Sequence, residues 1–398
     1  MVSNILFPVG GVETYMIALG EQLQKNGHIV DYFGMEDERN LLSNTFDIYA
    51  SNIDLNRRSF KSLLYPLRVI YSLQTKKRFK SLLKKIKPDI IHLNTINYNL
   101  TPSIVYAASK LKIAMIKTVH DAQIICPNHR LFIESQQKPC MKCLGGKFHN
   151  CTINKCINDS RFKSLLGSIE SYLYHNLKTY KKINKYIFPS KFMQELHINQ
   201  GIDESQAEYL VNFSRLSIPL NKNKSIIKQN YVLYFGRISI EKGILTLLKV
   251  IKRNPEIKFI FIGKGSLSNR LNDYNNIEYL GFKQGEELIE IVQNAKFTVY
   301  PSEWYENSPL SVLESQALGT PVIGANIGGI PELISSNTGL LFESGNVDDL
   351  ELKIKNLYFN EELLDDLTKN CLENSEIMNV QQYTEKIEKI YRKVMHNL

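Results

Sequence analysis

A short β-branched and aromatic run, Phe297 to Tyr300, stops at Pro301-Ser302 and gives way to a helical pattern opening near Ser308-Pro309. So short an apolar run, bounded by breakers, reads as a buried strand. Serine at an N-cap and proline at the first helical position are what a helix start prefers. Strand, loop and helix in this order form a βα unit. The same alternation recurs from Tyr231 onward, which fits a parallel, doubly wound sheet. Glu306 lies in the loop ahead of the helix and Glu314 about two turns further on. The E-x7-E spacing thus puts one carboxylate at the helix mouth and another on its shaft. Backbone N–H groups at such a start can hold an anion, usually phosphate. Gly319, Gly324, Gly328 and Gly329 follow, and glycine lets a backbone turn tightly and approach a ligand. Alone, the pair reads more simply as two solvated glutamates.

The surrounding residues change that reading. P-S-x-x-Y-E-x-x-P-L-x-x-x-E (Pro301 to Glu314) is followed by A-x-G-x-P-V-I (Ala317 to Ile323) and G-G-x-P-E (Gly328 to Glu332). Together they resemble the signature of retaining nucleotide-sugar glycosyltransferases of family four, the glycosyl transferases group 1. The resemblance implies an α/β chain of the GT-B fold: two Rossmann-like doubly wound domains facing a cleft, with a C-terminal helix crossing back to the first domain.

With 398 residues there is enough chain for two such domains, each with its own core. No window reaches the about 18 uninterrupted apolar residues of a membrane span. The N-terminus lacks a basic segment, apolar core and small-residue cleavage site, so a cytoplasmic location is expected. The net charge of +9 is uneven. Residues 57–88 hold eleven Lys and Arg and no acid, with Phe60, Leu63, Leu64, Leu67, Phe79, Leu82, Leu83 and Ile86 threaded through them at helical spacing. A basic amphipathic stretch suits an anionic membrane surface, here the inner face of the plasma membrane. Ordinary packing explains its apolar face, and no nucleic-acid motif accompanies the charge.

At the N-terminus, apolar Val2 to Phe7 leads into Pro8-Val9-Gly10-Gly11-Val12-Glu13 and an amphipathic helix. This is similar to the family's first strand, glycine loop and first helix. Only Met1 stands before Val2, where relatives carry a full strand and a longer loop, so either the sequence starts late or the sheet has lost most of its first strand. His28 to Met35, Asp89 to Leu93 and Ala114 to Val119 read as strands. The last ends in His120-Asp121, which resembles the family position where a histidine meets the donor sugar or the departing phosphate. A capping pair at a strand end is the plainer alternative.

Five of the six cysteines fall between Cys126 and Cys156, in a segment that reads as an insertion (122–160). In a cytoplasmic chain such clustering points to metal rather than disulfides. Cys140, Cys143, Cys151 and Cys156 would make a four-thiolate structural zinc site. An Fe–S cluster and a loop of reduced thiols are the other readings. Ser164 to Tyr180 reads as a helix flanked by lysines, and polar Asn223 to Asn230 as the linker. The domains expected are therefore 1–222 on the acceptor side, 223–378 for the nucleotide sugar, and the helix of 379–398.

The second domain opens on F-G-R-x-x-x-E-K-G (Phe235 to Gly243). Arg237 offers a planar fork and Lys242 a point charge, both suited to a diphosphate. Lys258 to Gly265 ends in a glycine turn, without a dinucleotide fingerprint. Ile277 to Phe282 resembles the strand beside the nucleobase. By resemblance, Arg237, Lys242, His120 and Glu306 are the catalytic set. The donor is held by Gly10, Gly11, Gly236, Gly263, Phe282, Ser308, Pro309, Leu310 and Glu314 together with Arg237 and Lys242. Within these roles Arg237 and Lys242 neutralise the leaving diphosphate, Glu306 holds sugar hydroxyls and Glu314 the ribose. No cofactor is required for catalysis, and the chain contains no D-x-D. A catalytically silent GT-B scaffold and a nucleotide-sugar epimerase are the rival readings. The intact Arg237, Lys242, Glu306 and Glu314 weigh against the scaffold, and an epimerase needs acid and base groups that do not stand out here.

Overall fold

The computed structural model describes residues 1–51, 65–97, 100–216, 228–374 and 377–396. It divides into two compact units. One comprises residues 1–135, 140–211 and 380–398, the other 136–139 and 212–379.

The first unit is built on a parallel sheet. Strands β1 (Ile90–Leu93), β2 (Ala114–Thr118), β3 (Lys185–Phe188) and β4 (Ala207–Tyr209) lie side by side in that order. The first three are buried over most of their length, with apolar residues on both faces, as strands covered on each side must be, and β4 is half-buried. The N-terminal residues extend this sheet. Val2 bridges in parallel to both Leu93 and Phe33, and Met35 bridges to Ala50. The expected first and second strands are thus reduced to bridges, and Val2 occupies the central place. The chain leaves Val2 for Phe33 on one side and returns through β1 on the other, so the direction of winding reverses between Val2 and β1.

Three helices of this unit matter below: α1 (Gly11–Lys25), α2 (Leu73–Ile86) and α3 (Arg161–Asn176). The first is the amphipathic helix expected after the glycine pair. Helix α2 carries most of the described part of the basic stretch, and its apolar residues Phe79, Leu82 and Leu83 are buried, with Phe79 against Phe33. Packing therefore accounts for that apolar face. Residues 57–64 and the side chain of Leu67 lie outside the described part. Helix α3 starts three residues earlier than the sequence reading and ends before Tyr180. Ser160 caps it by accepting from the Lys163 N–H, and the chain then turns through a 3-10 segment, Tyr180–Lys182.

In the second unit a six-stranded sheet holds β5 (Gln229–Phe235), β6 (Phe259–Ile262), β7 (Ile277–Tyr279), β8 (Ala295–Tyr300), β9 (Val322–Ala325) and β10 (Gly339–Phe342). The spatial order is β10-β9-β8-β5-β6-β7, and every pair is parallel. The winding reverses between β5 and β8. Helices α4 (Ile244–Arg253) and α5 (Leu310–Ala317) follow those two strands. Of the expected linker, Asn223 to Asn230, residues 223–227 lie outside the described part, and its end is strand: β5 begins at Gln229.

Helix α6 (Val380–His396) belongs to the first unit. Tyr383 reaches Tyr15 of α1 with its hydroxyl at 2.9 Å, and Tyr391 reaches His92 Nδ1 at 2.6 Å. These buried contacts hold the end of the chain on the first sheet, as expected.

Candidate active site

Open α/β sheets bind ligands beyond the carboxyl ends of their strands, where the winding reverses. In the second unit that place lies beyond Phe235 and Tyr300, and the expected residues gather there. Lys242 Nζ donates to Glu306 Oε1 at 2.5 Å and to the Tyr300 hydroxyl at 2.9 Å. The same carboxylate oxygen also accepts from Ser302 Oγ at 2.6 Å, Trp304 Nε1 at 2.5 Å and the Tyr300 hydroxyl at 3.2 Å. Aromatic faces close over the ammonium, with Tyr300 at 5.2 Å and Trp304 at 5.3 Å. Burial acts to raise the Glu306 pKa, but the Lys242 charge and the hydrogen bonds from Lys242, Ser302 and Trp304 outweigh it and hold the carboxyl below its ordinary value. Lys242 and Glu306 are thus one buried ion pair.

The G-G-x-P-E segment supports that pair from behind. Gly329 N–H donates to the Glu306 carbonyl at 2.8 Å, and Gly328 has φ +60° with a Cβ position only 2.5 Å from the same oxygen. Only glycine fits there, and the reason is the Glu306 loop rather than a ligand.

Helix α5 departs from the sequence reading at its start. Its N-cap is Pro309, in an extended conformation, and its first residue is Leu310. Ser308 caps nothing. Its carbonyl accepts from Asn212 Nδ2 at 3.0 Å, which holds the chain one step further from the helix than an N-cap serine would be. Ser308 Oγ and Asn212 Oδ1 are both buried without a hydrogen-bond partner. Two unsatisfied polar atoms beside the amides of a helix start are suited to a polar ligand. Replacing Ser308 by alanine removes an unsatisfied hydroxyl, so the unliganded protein is expected to melt at the same temperature or higher, by up to about 1 kcal/mol of stability. A melting curve of the unliganded variant checks this.

Glu314 lies on α5, nearly buried, with Arg215 Nε 3.8 Å away. Burial pushes its carboxyl up to about 7, and Arg215 only partly opposes this. A carboxyl raised from its usual 4.5 contributes stability that is complete below pH 4.5 and is lost as pH rises through about 7. Glu314→Gln is expected to flatten the decline in stability between those pH values, as followed by urea unfolding at several pH values. An unchanged slope would place the titration elsewhere.

Arg237 is more open. Its side chain is half exposed and touches Glu241 at 3.5 Å. Gly236 and Gly263 form the turns that end β5 and β6, and Gly263 N–H donates to Gly281 at 2.8 Å. Phe282 is 60% exposed, with Lys264 5.9 Å above its ring.

In the first unit the corresponding reversal lies beyond Val2 and Leu93, and Asn94 stands there. Its N–H donates to the Val2 carbonyl at 2.8 Å, and its side-chain amide reaches the same oxygen at 3.4 Å. That orientation turns Asn94 Oδ1 towards His120 Nε2, 2.9 Å away. The Lys117 ammonium is buried beside them and donates to the Asn94 carbonyl at 2.6 Å. Burial, then the charges of Lys117 and His92, push His120 well below the usual histidine value, so the ring is neutral. With Nε2 carrying the proton, Nδ1 is a hydrogen-bond acceptor. The Tyr15 ring packs edge-on against it at 4.9 Å.

The glycine loop is plainer than expected. Gly10 has ordinary extended backbone, and a Cβ there would meet only Glu13 Oε2, at 3.5 Å. Helix α1 begins at Gly11, and the Glu13 carboxylate accepts from the backbone N–H groups of Gly10 and Glu13 itself. A carboxylate therefore already occupies this helix start. The first unit also has a cavity of about 360 Å³ lined by Lys185, Ser205, Glu208, Lys389 and Lys393. It lies at the amino ends of β3 and β4, away from His120, and is not the candidate site.

The cysteines do come together. Cys143, Cys151 and Cys156 share one apolar cluster with Ile133 and Phe148, and Cys140 packs against it. All six cysteines of the chain are free thiols. Among the described residues, however, no group of three or more His, Cys, Asp or Glu is placed to hold a metal ion. Cys140, Cys143, Cys151 and Cys156, the four thiols expected from their spacing to hold zinc, are all part of this gathering.

A model of the family described as Glycosyltransferase Family 4 matches residues 9–213, and one described as Glycosyl transferases group 1 matches residues 218–373. The chain belongs to glycosyltransferase family 4. The enzyme is 25% identical over 412 residues to an "uncharacterized 42.6 kDa protein in cps region" of Klebsiella pneumoniae, covering 98% of this chain and 99% of that protein. It is 30% identical over 196 residues to sulfoquinovosyl transferase SQD2 of Arabidopsis thaliana, which is 48% of this chain and 38% of that one. Among solved structures it resembles sucrose-phosphate synthase of Thermosynechococcus elongatus, with TM-score 0.70 and 18% identity, over 100% of this chain and 96% of that one. It also resembles Anabaena HepE in complex with UDP, with TM-score 0.66 and 15% identity over 98% of each chain. At these identities the likeness bears on architecture, and the architecture is GT-B. Sequence reasoning about this glycosyltransferase missed Tyr300, Ser302 and Trp304 as partners of Glu306, Arg215 beside Glu314, and Asn94 beside His120.

Proposed function

We propose that the glycosyltransferase moves a sugar from a nucleoside-diphosphate donor, UDP- or GDP-linked, with retention of anomeric configuration. The acceptor is a glycan or lipid-linked precursor of cell-surface polysaccharide. The observation that carries this reading is the buried Lys242–Glu306 pair at the reversal point of the second sheet, beside a helix start with two unsatisfied polar atoms.

Negative charge grows on the bridging phosphate oxygen as the glycosidic bond breaks. Lys242 is the cation fixed beside that place by Glu306 and two aromatic faces, so it needs no reorganisation when the charge appears. Arg237, half exposed and only loosely tied to Glu241, supplies a second, movable cation. Ser308, Asn212 and the amides at Leu310 and Ser311 take phosphate oxygens, and Glu314 takes ribose hydroxyls. Glu306 keeps Lys242 in place and offers its carboxylate to sugar hydroxyls. His120, as a neutral acceptor, takes a hydroxyl hydrogen rather than a phosphate oxygen, because a lone pair repels an oxyanion. The exposed lysines Lys77, Lys84, Lys85 and Lys87 on and beside α2 support the reading that the enzyme works at an anionic membrane surface, the inner face of the plasma membrane. Among the described residues no helix is long and apolar enough to cross a membrane.

Thermal shift with UDP, GDP, ADP and their common sugars tests the donor. One nucleotide is expected to raise the melting temperature, since a ligand that binds only the folded state stabilises it. A folded sample that responds to none of them would contradict the donor site. Proton NMR of the product's anomeric signal tests retention.

A further inference from the structure

Helix α3 is inside out. The residues it buries are Ser164, Gly167, Ser168, Glu170 and Tyr174. The residues it shows to solvent include Phe162, 61% exposed, Leu165, 44%, and Ile169, 43%. These three are spaced i, i+3, i+7 and so share one face, and half-buried Leu166 and Leu173 flank them. An ordinary surface helix has the opposite arrangement.

Specific contacts on the buried side fix this orientation. Ser168 Oγ donates to the Phe148 carbonyl at 2.8 Å, Ser164 Oγ accepts from the Ile157 N–H at 3.0 Å, and the Tyr174 hydroxyl donates to the Ile70 carbonyl at 2.8 Å. Gly167 lies so close to Ile157 that a Cβ would sit 2.6 Å from its Cδ1. Turning the helix to hide its apolar face would break all four contacts. A patch of large apolar side chains held outward at this cost marks an interaction surface.

Charge identifies the partner. Arg161 and Lys163 at one end of the helix, and Lys178, Lys181 and Lys182 just beyond the other, are all exposed. The only acid from Ser160 to Lys182 is the buried Glu170. An apolar stripe rimmed by cations is the pattern of a helix that lies in a membrane interface. We propose that α3 enters the surface of an anionic phospholipid bilayer through Phe162, Leu165 and Ile169, with the five cations at its ends on the headgroups. The proposal rests on the membrane-surface reading above and adds the element that enters the lipid, where α2 contributes charge alone.

Vesicle flotation of the full-length enzyme tests it, comparing phosphatidylcholine alone with phosphatidylcholine containing phosphatidylglycerol. The wild type is expected to float with the anionic vesicles. A Phe162→Ser, Leu165→Ser, Ile169→Ser variant is expected to bind them at least about tenfold more weakly, because each side chain brings apolar area out of water. Its melting temperature should stay at or above that of the wild type, since these side chains are already exposed. Equal flotation of the variant and the wild type would overturn the assignment. So would a concentration-dependent dimer of the wild type that the variant cannot form, because a second copy would then cover the face. Loss of flotation on changing Lys77, Lys84, Lys85 and Lys87 to Gln, with none in the triple variant, would remove α3 and leave the membrane reading standing. A wild type that ignores anionic vesicles would remove both.

Discussion

Replacing Lys242 by alanine is expected to lower kcat by about two to three orders of magnitude, the usual effect of removing one preorganised group that stabilises developing charge. It should also destabilise the fold. Glu306 is buried and keeps its charge because of Lys242, so removing the cation leaves a carboxylate with Ser302, Trp304 and Tyr300 as its partners among the described residues. Breaking one side of a buried pair typically costs about 3–5 kcal/mol, and the three remaining donors put the expectation at the low end, about 3 kcal/mol. The two losses can be separated. A Lys242→Met, Glu306→Gln double variant has no orphaned charge and should recover most of the stability while remaining inactive. Denaturant unfolding beside a donor-turnover assay distinguishes these outcomes. Full activity in a stable Lys242→Ala protein would remove the lysine from the chemistry.

Gly243→Ala is expected to be a severely damaging single-methyl change in the second unit. Gly243 has φ +69°, and a Cβ there would lie 1.7 Å from the Pro301 carbonyl oxygen. That oxygen belongs to the turn that delivers Ser302 and Glu306, so it cannot yield without moving the site. The strain should exceed about 4 kcal/mol, the range of severe local clashes. Gly281 provides a matched control. It has the same φ of +69° but nothing within 4 Å of its Cβ position, so Gly281→Ala should cost only the left-handed backbone penalty of about 1–2 kcal/mol. Unfolding midpoints of the two variants measure close approach separately from conformation.

These effects show which parts of the molecule could be read in advance. Strands β5 to β8 were legible because each is a short apolar or aromatic run with glycine or proline at or near its end, whereas β9 and β10, which run into Asn326 and Glu343, carry no such stop. Lys242 and Glu306 were legible as types at a spacing. Their mutual pairing was not, because 64 residues of chain separate them and only the parallel β5–β8 neighbourhood brings them together. Ser308 was misplaced by one local rule. Its side chain suits an N-cap, but the long-range bond from Asn212 to its carbonyl overrides that preference. Helix α3 was found but not its orientation, since inward-facing serines and outward-facing leucines give the same periodicity as the reverse. The cysteine spacing suggested that the thiols meet, and they do, around Ile133 and Phe148.

The central claim is that a nucleoside-diphosphate sugar is broken down at the Lys242–Glu306 site. The most direct measurement is release of nucleoside diphosphate from a panel of UDP- and GDP-sugars, with wild type and Lys242→Ala purified side by side. Slow release from one donor is expected even without acceptor, reduced at least about a hundredfold in the variant. Folded wild type that releases nothing from any donor, or a variant that matches it, would contradict the account.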